Sequence, residues 1–217
     1  FAKDMSFLFR RSNSTASKPK AENFDLEAEK LFAKLNLPNP GGGRSAYNPL
    51  DPIWRHPRTG GTLYVGNVNA ASNLSLLKSY NITHVVNCTD SMPNYHQSTG
   101  EIAYHRFDIA AWWRVVDSTT DSVRRFTSPA LGFIGEALSR GQNVMVHCLA
   151  GAHRAGTTGC LCLMHFAGLD FQTAVSTAKR CRPVVDPIGT LPDLLRKMEA
   201  ANRETPPQSR FPAAHFA

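Results

Sequence analysis

The segment from Asn143 to Gly159, NVMVHCLAGAHRAGTTG, constrains this chain more than any other. Its start, Asn143–His147, is an apolar strand built on Val-Met-Val. A turn of small residues follows, and a helix then runs from Arg154 to Phe166 and closes at Gly168. Around this unit the pattern alternates. Thr62–Val65, Ile82–Asn87 and Ile102–Ile109 read as strands, and 71–80 reads as a helix between the first two. Phe126–Arg140 is helical with Gly141 at its cap, and Asp170 caps another helix reaching Arg180. Thr190 opens the last with a Thr-x-x-Asp capping pattern to Asp193. Strands alternating with helices predict an α/β fold, a central, mostly parallel sheet flanked by helices.

The flanks read differently. Residues 1–22 are basic and carry the polar run RRSNSTASKPK, which predicts a disordered tail. Residues 23–60 divide into an amphipathic helix, with Phe24, Leu31, Phe32 and Leu35 on one face, and a Pro/Gly linker. That helix has two readings: packing on the domain, or holding a partner. The folded domain is expected over 61–200, and 201–217 as a second disordered tail.

The chain has 24 Lys and Arg against 17 Asp and Glu, net +7. The excess sits mainly outside the domain: net +4 over residues 1–60, +2 over 61–199 and +1 over 200–217. A nucleic-acid binder needs a concentrated basic stripe on its folded part, so nucleic acid is not the expected partner. No apolar run approaches the ~18 residues of a membrane-spanning helix, so no membrane is expected. Five cysteines without a C-x-x-C pair predict reduced thiols and a cytoplasmic or nuclear setting. The Ser-, Arg- and Lys-rich start faintly resembles an organelle transit peptide, though a basic tail is the simpler account. The scattered His and Cys assemble no tetrahedral ligand set, so neither metal nor other cofactor is expected. A monomer is the default.

The turn after the strand carries the chemistry. A strand feeding a small-residue loop and a helix start presents backbone N–H groups and a helix dipole to an anion. Cys148 stands at the strand end and Arg154 six residues on. Arginine grips two phosphate oxygens with a planar fork, and a thiol in such surroundings is favoured as thiolate, a ready nucleophile. The competing account is a buried structural cysteine beside a surface arginine.

HCLAGAHR resembles the HC-x5-R phosphate loop of the cysteine-based protein-tyrosine phosphatases, most closely the dual-specificity phosphatases. TLYVGNVNAASNLSLLKSYNITHVVNCTDSMPNYH is similar to that family's opening strand, helix, strand and Pro-Asn loop. AKRCRPVVDPIG resembles the Arg-Pro segment before its final helix. The resemblance implies a phosphatase acting on phosphotyrosine and phosphoserine/threonine of a phosphorylated protein, through a phosphocysteine and without metal. It makes Cys148 the nucleophile and Arg154 the phosphate and transition-state ligand. Leu149, Ala150, Gly151, Ala152, His153 and Arg154 become the phosphate cradle, and His147 its organiser.

Three features depart from that pattern or extend it. Ala155 stands where the family usually has Ser or Thr; Thr157 and Thr158 follow one turn on and read as helix packing. The general acid is displaced: counting from Tyr104 reaches Ala111, whereas counting back from Cys148 reaches Asp117 across an insertion within AAWWRVVD. Asp117 is the expected acid, with Asp108 and Asp121 as alternatives. Trp112 and Trp113 on this stretch either wall the cleft or anchor the loop. Cys88, after ITHVVN, matches a place where some relatives keep a cysteine that captures the oxidised nucleophile, a candidate redox partner set against an idle thiol. At the variable cradle places, Leu149, Ala152 and His153, lipid-directed relatives tend to carry lysines and this chain has only His153, so the resemblance favours a phosphoprotein over a phosphoinositide. The histidine itself reads as a solvent-facing loop residue. Two rival readings are a phosphate-binding pseudophosphatase or scaffold, and a phosphatase of a phosphoglucan.

Overall fold

The computed structural model describes residues 23–34 and 48–207. The tail expected over 1–22, residues 35–47 with Leu35 and the first part of the linker, and residues 208–217 lie outside them. Helix α1 (Phe24–Lys34) precedes strands β1 (Leu50–Arg55) and β2 (Thr62–Gly66). Next come the short helices α2 (Val68–Ser72) and α3 (Leu74–Ser79), then β3 (Ile82–Asn87) and β4 (Ala103–Arg106). The chain continues through α4 (Thr120–Ser139), β5 (Asn143–His147), α5 (Arg154–Phe166), α6 (Phe171–Cys181) and α7 (Leu191–Glu204).

The strands form one sheet in the order β1-β2-β5-β3-β4. β2, β3 and β4 run parallel to their neighbours around β5, and β1 is antiparallel to β2. Strand β5 is central because both of its faces are covered. Val144 and Val146 join the large core with α4, α5, α6 and α7, whereas Met145 faces Leu77, Ala70 and Ala71 of α2 and α3. All three are fully buried, and each such side chain contributes about 1.5–3 kcal/mol. Helix α5 is buried over nearly its whole length, so it reads apolar all round rather than striped. Gly159 lets it approach the sheet, since a Cβ there would lie 2.8 Å from Ile53 Cδ1.

Several expectations change. The linker over 38–60 contains β1, whose Trp54 stacks on Phe166 of α5 at 5.5 Å between centroids. Pro52 made this stretch read as linker; it is tolerated because β1 is an edge strand, with a register shift between Pro52 and Trp54. The helix expected over 71–80 is two helices that share Asn73, whose side chain accepts from Leu76 N–H at 3.0 Å. Helix α4 starts at Thr120, six residues ahead of the expected Phe126, because Thr119 Oγ1 accepts from Ser122 N–H. Thr190 does not cap α7 with its side chain; its hydroxyl accepts from Trp112 Nε1 at 3.2 Å. The last helix also runs to Glu204, beyond the expected domain end.

Candidate active site

Beyond His147 the chain leaves the centre of the sheet and is held from outside by its carbonyl oxygens. Val68 N–H at the start of α2 donates to Leu149 O at 3.0 Å, and Asp186 N–H donates to Ala152 O at 3.1 Å. Arg182, fully buried, donates from Nε to Gly151 O at 2.9 Å and from Nη2 to Ala150 O at 3.2 Å. The His153 carbonyl accepts from Thr157 Oγ1 at 2.7 Å, and the Arg154 carbonyl from Thr158 Oγ1 at 3.0 Å. A peptide N–H points away from its own C=O, so a loop with its oxygens fixed outward turns its N–H groups into the curve. Cys148 and Arg154, 2% and 4% exposed, stand at the two ends of that curve. Such an arrangement is a cradle for a small oxyanion.

Gly151 makes the curve achievable. Its φ is +63°, and a Cβ there would sit 2.4 Å from Gly66 O, so a side chain is excluded by both strain and space. The remaining Arg182 nitrogen, Nη1, reaches Asn48 O at 3.0 Å and Asp51 Oδ2 at 2.5 Å. This arginine therefore bolts the loop to the chain just ahead of and within β1, with its charge balanced by Asp51.

Arg154 is differently placed. Burial works against its charge, but Cys148 and then Asp25 outweigh that, so it stays a cation. Its Nη2 pairs with Asp25 Oδ1 of α1, and its Cζ lies 5.7 Å from the Phe24 ring. Its Nε is buried with no hydrogen-bond partner among the described residues. His147, also fully buried, is pushed down to about 4 chiefly by burial, with Arg106 and Arg154 adding to it and the Cys148 backbone opposing; it is neutral at physiological pH. His153, expected at the solvent-facing mouth, is instead 6% exposed with Nδ1 2.7 Å from Asp186 O.

Asn87 pairs with His147 across β3 and β5, so Cys88 and Cys148 follow neighbouring strand ends. Cys88 is fully buried and donates to Thr158 Oγ1 at 3.3 Å; burial pushes its thiol up to about 12. Cys160 and Cys162 are core side chains. Among the described residues no three His, Cys, Asp or Glu gather as a metal site, and no helix is long and apolar enough to cross a membrane.

The expected acid, Asp117, is bonded to the residues that open α4. Asp117 Oδ1 accepts from Thr119 Oγ1 at 2.6 Å and Thr119 N–H at 2.7 Å, and its own N–H donates to Ser122 Oγ at 3.1 Å. The Thr119 hydroxyl, then its N–H, hold the carboxyl down at about 2, and the same bonds brace the start of α4. Asp121 is exposed and pairs loosely with Arg124 at 3.7 Å. Asp108 precedes a short 3-10 turn, Ile109–Arg114, and makes no side-chain cap bond to it. Trp112 is buried and tied to Thr190, so it anchors this stretch; Trp113 is half-buried with Arg114 over its ring at 5.3 Å.

Comparison with known proteins fixes the family. The family model for the dual specificity phosphatase catalytic domain matches residues 63–200. The chain belongs to the dual specificity phosphatases. It is 33% identical over 145 residues to Arabidopsis thaliana dual specificity protein phosphatase 1, covering 65% of this chain and 69% of that protein. It is 31% identical over 150 residues to human dual specificity protein phosphatase 9, where the match takes in 67% of this chain but 38% of the relative. Among solved structures, human DUSP28 superposes with a TM-score of 0.57 at 23% identity, covering 76% of this chain and 99% of that one. The expected fold class is the observed one.

Two residues of this dual specificity phosphatase's site were not picked out from sequence. Arg182 lies in the Arg-Pro segment noted as a family landmark, but nothing local says that its fork reaches back to residue 151. Asp25 gave no signal, because the amphipathic pattern of α1 marks an apolar face and not what that face covers. α1 packs on the cradle: Ala28 and Phe32 form a separate cluster with Ala150 and Ala152, flanked by Leu31, Leu149 and Val184.

Proposed function

We propose that this chain hydrolyses phosphate monoesters of phosphotyrosine and phosphoserine/threonine on proteins, through a phosphocysteine on Cys148. The observation that carries the reading is the cradle itself: carbonyls held outward, with a buried thiol and a buried arginine facing the enclosed curve. In the first step Cys148 Sγ attacks phosphorus as thiolate and the ester P–O bond breaks, its electron pair leaving with the oxygen. Arg154 and the loop N–H groups take up the charge on the equatorial oxygens. In the second step water attacks phosphorus, the P–S bond breaks, and phosphate and thiolate are released. Arg154 binds phosphate; Leu149 to His153 supply the lining; His147, buried and neutral, stands directly before the nucleophile, with neither ring nitrogen bonded among the described residues.

Protonation of the leaving oxygen is the step the site supports least, with Ala111 at the family's position and Asp117 held as an anion. The proposal therefore predicts steep dependence on leaving-group acidity, aryl phosphates being turned over far faster than alkyl phosphates. Should the Asp117 turn open during the reaction, Asp117→Asn would slow poor leaving groups and spare good ones. The same departures, with Ala155, are what the rival reading as a phosphate-binding scaffold rests on, and the catalytic-domain match speaks against it.

Turnover of an aryl phosphate by wild type and Cys148→Ser, with a rapid acid quench to trap the phosphoenzyme, separates the two. Turnover lost in Cys148→Ser and a phosphoenzyme on Cys148 are expected. Wild-type turnover no better than the Cys148→Ser variant would leave only the scaffold.

A further inference from the structure

We propose that α1 is an intrasteric plug, in which Asp25 stands on Arg154 in place of a substrate's phosphate, so that the closed chain and a phosphorylated ligand compete for one site. This rests on the phosphate-site reading above.

Three observations converge on it. The partner of the buried Arg154 guanidinium is a carboxylate from outside the domain, although the same loop offers carbonyl oxygens that Arg182 uses. The pair is lopsided: the Arg154 side chain is 5% exposed and that of Asp25 45%, as expected for a group laid on a pocket rather than built into it. The arginine's fork is only part-filled, since Nε has no partner among the described residues. A phosphate dianion, with more oxygens and more charge than a carboxylate, can engage both nitrogens.

The rest of α1 is shaped to hold that carboxylate there. Asp25, Ala28 and Phe32 recur at helical spacing on one face. Ala28 and Phe32 are 2% and 4% exposed and rest on Ala150 and Ala152, the floor of the cradle, while Phe24 lies against the arginine. Among the described residues α1 is capped by Asn23, whose Oδ1 accepts from Leu26 N–H at 3.0 Å, and it takes no part in the sheet. Lifting it off breaks no sheet pairing. Charge and apolar contact thus close the site together, and each is separately removable.

The test uses the full chain. Binding of inorganic phosphate is titrated calorimetrically in Cys148→Ser, alone and combined with Asp25→Asn or Phe32→Glu. Aryl phosphate kinetics are measured with Cys148 intact. A ligand's apparent affinity is reduced by the closed fraction, so opening raises it by the same factor. Phosphate should bind several-fold tighter with Asp25→Asn and about tenfold tighter with Phe32→Glu, which places a charge in an apolar contact. kcat/KM should rise in the same order, through KM. Unchanged phosphate affinity in both variants overturns the plug, and weaker binding overturns it too by making α1 part of the site. Tighter phosphate binding without aryl phosphate turnover would sink the hydrolase reading and keep the plug. Turnover with unchanged phosphate affinity would do the reverse.

Discussion

Arg154 and Arg182 are both buried, both touch the same six-residue loop, and do opposite work. Arg182 is spent: its fork is filled by Gly151 O, Ala150 O, Asn48 O and Asp51, all within the fold. Arg154 is kept: its partners come from a helix laid over the pocket, and its Nε has none among the described residues. A buried arginine with satisfied geometry is scaffold, whereas one with an incomplete fork is a binding site in waiting. The difference lies in whether carbonyls or a ligand complete the shell, and not in burial or charge.

The widest separation should come from replacing each arginine. Arg154→Ala is expected to lower kcat/KM roughly 10³-fold while leaving the urea midpoint unchanged or raised, since it removes a buried charge with few fixed partners. Arg182→Ala should lose activity and also about 3–5 kcal/mol of stability, because Asp51 and two loop carbonyls lose their donor. Arg182→Lys should recover little of either, a point charge being unable to reproduce the fork. Equal stability losses in the two alanine variants would erase the division of labour.

A third base at the loop sharpens it. His147 is buried neutral, down at about 4 against an ordinary 6.5, so the unfolded chain binds the proton more readily. Stability should hold above pH 6.5 and fall as pH drops towards 4, by about 3 kcal/mol, and His147→Gln should flatten that slope in pH-dependent urea unfolding. Gly151→Ala should cost about 2 kcal/mol or more from its positive φ and the contact with Gly66 O, and lower phosphate affinity as well. Asp117 gives the smallest effect. Its depressed carboxyl contributes above the ordinary 3.8 and loses that contribution as pH falls through about 2, and Asp117→Asn should leave neutral-pH turnover of a poor leaving group, an alkyl phosphate, nearly unchanged. A large loss there would return Asp117 to the chemistry.

What was legible in the sequence was local and periodic. The β5–loop–α5 unit and β3 fall where expected, because a Val-rich run followed by small residues has few other ways to bury itself. What was not legible depends on distant contacts. β1 hides behind Pro52, which an edge strand tolerates. The Thr190 hydroxyl reads as a cap until Trp112, 78 residues away, takes it. Asp117 lies at a plausible distance from Cys148 in sequence, which does not show that its carboxylate accepts from Thr119 two residues on. Position along the chain finds candidates; neighbours in space assign their work.

The family-matched segment begins at residue 63, yet the loop's own bolt is anchored at Asn48 and Asp51. A recombinant fragment cut to the matched boundaries would keep every residue named for chemistry and still leave Arg182 half-coordinated beneath the cradle. Such a fragment would carry a cation in its core whose counter-charge had been left on the discarded piece. The smallest self-sufficient unit of this protein therefore begins upstream of β1, and a weak or insoluble product from a shorter one would report on the cut rather than on the enzyme.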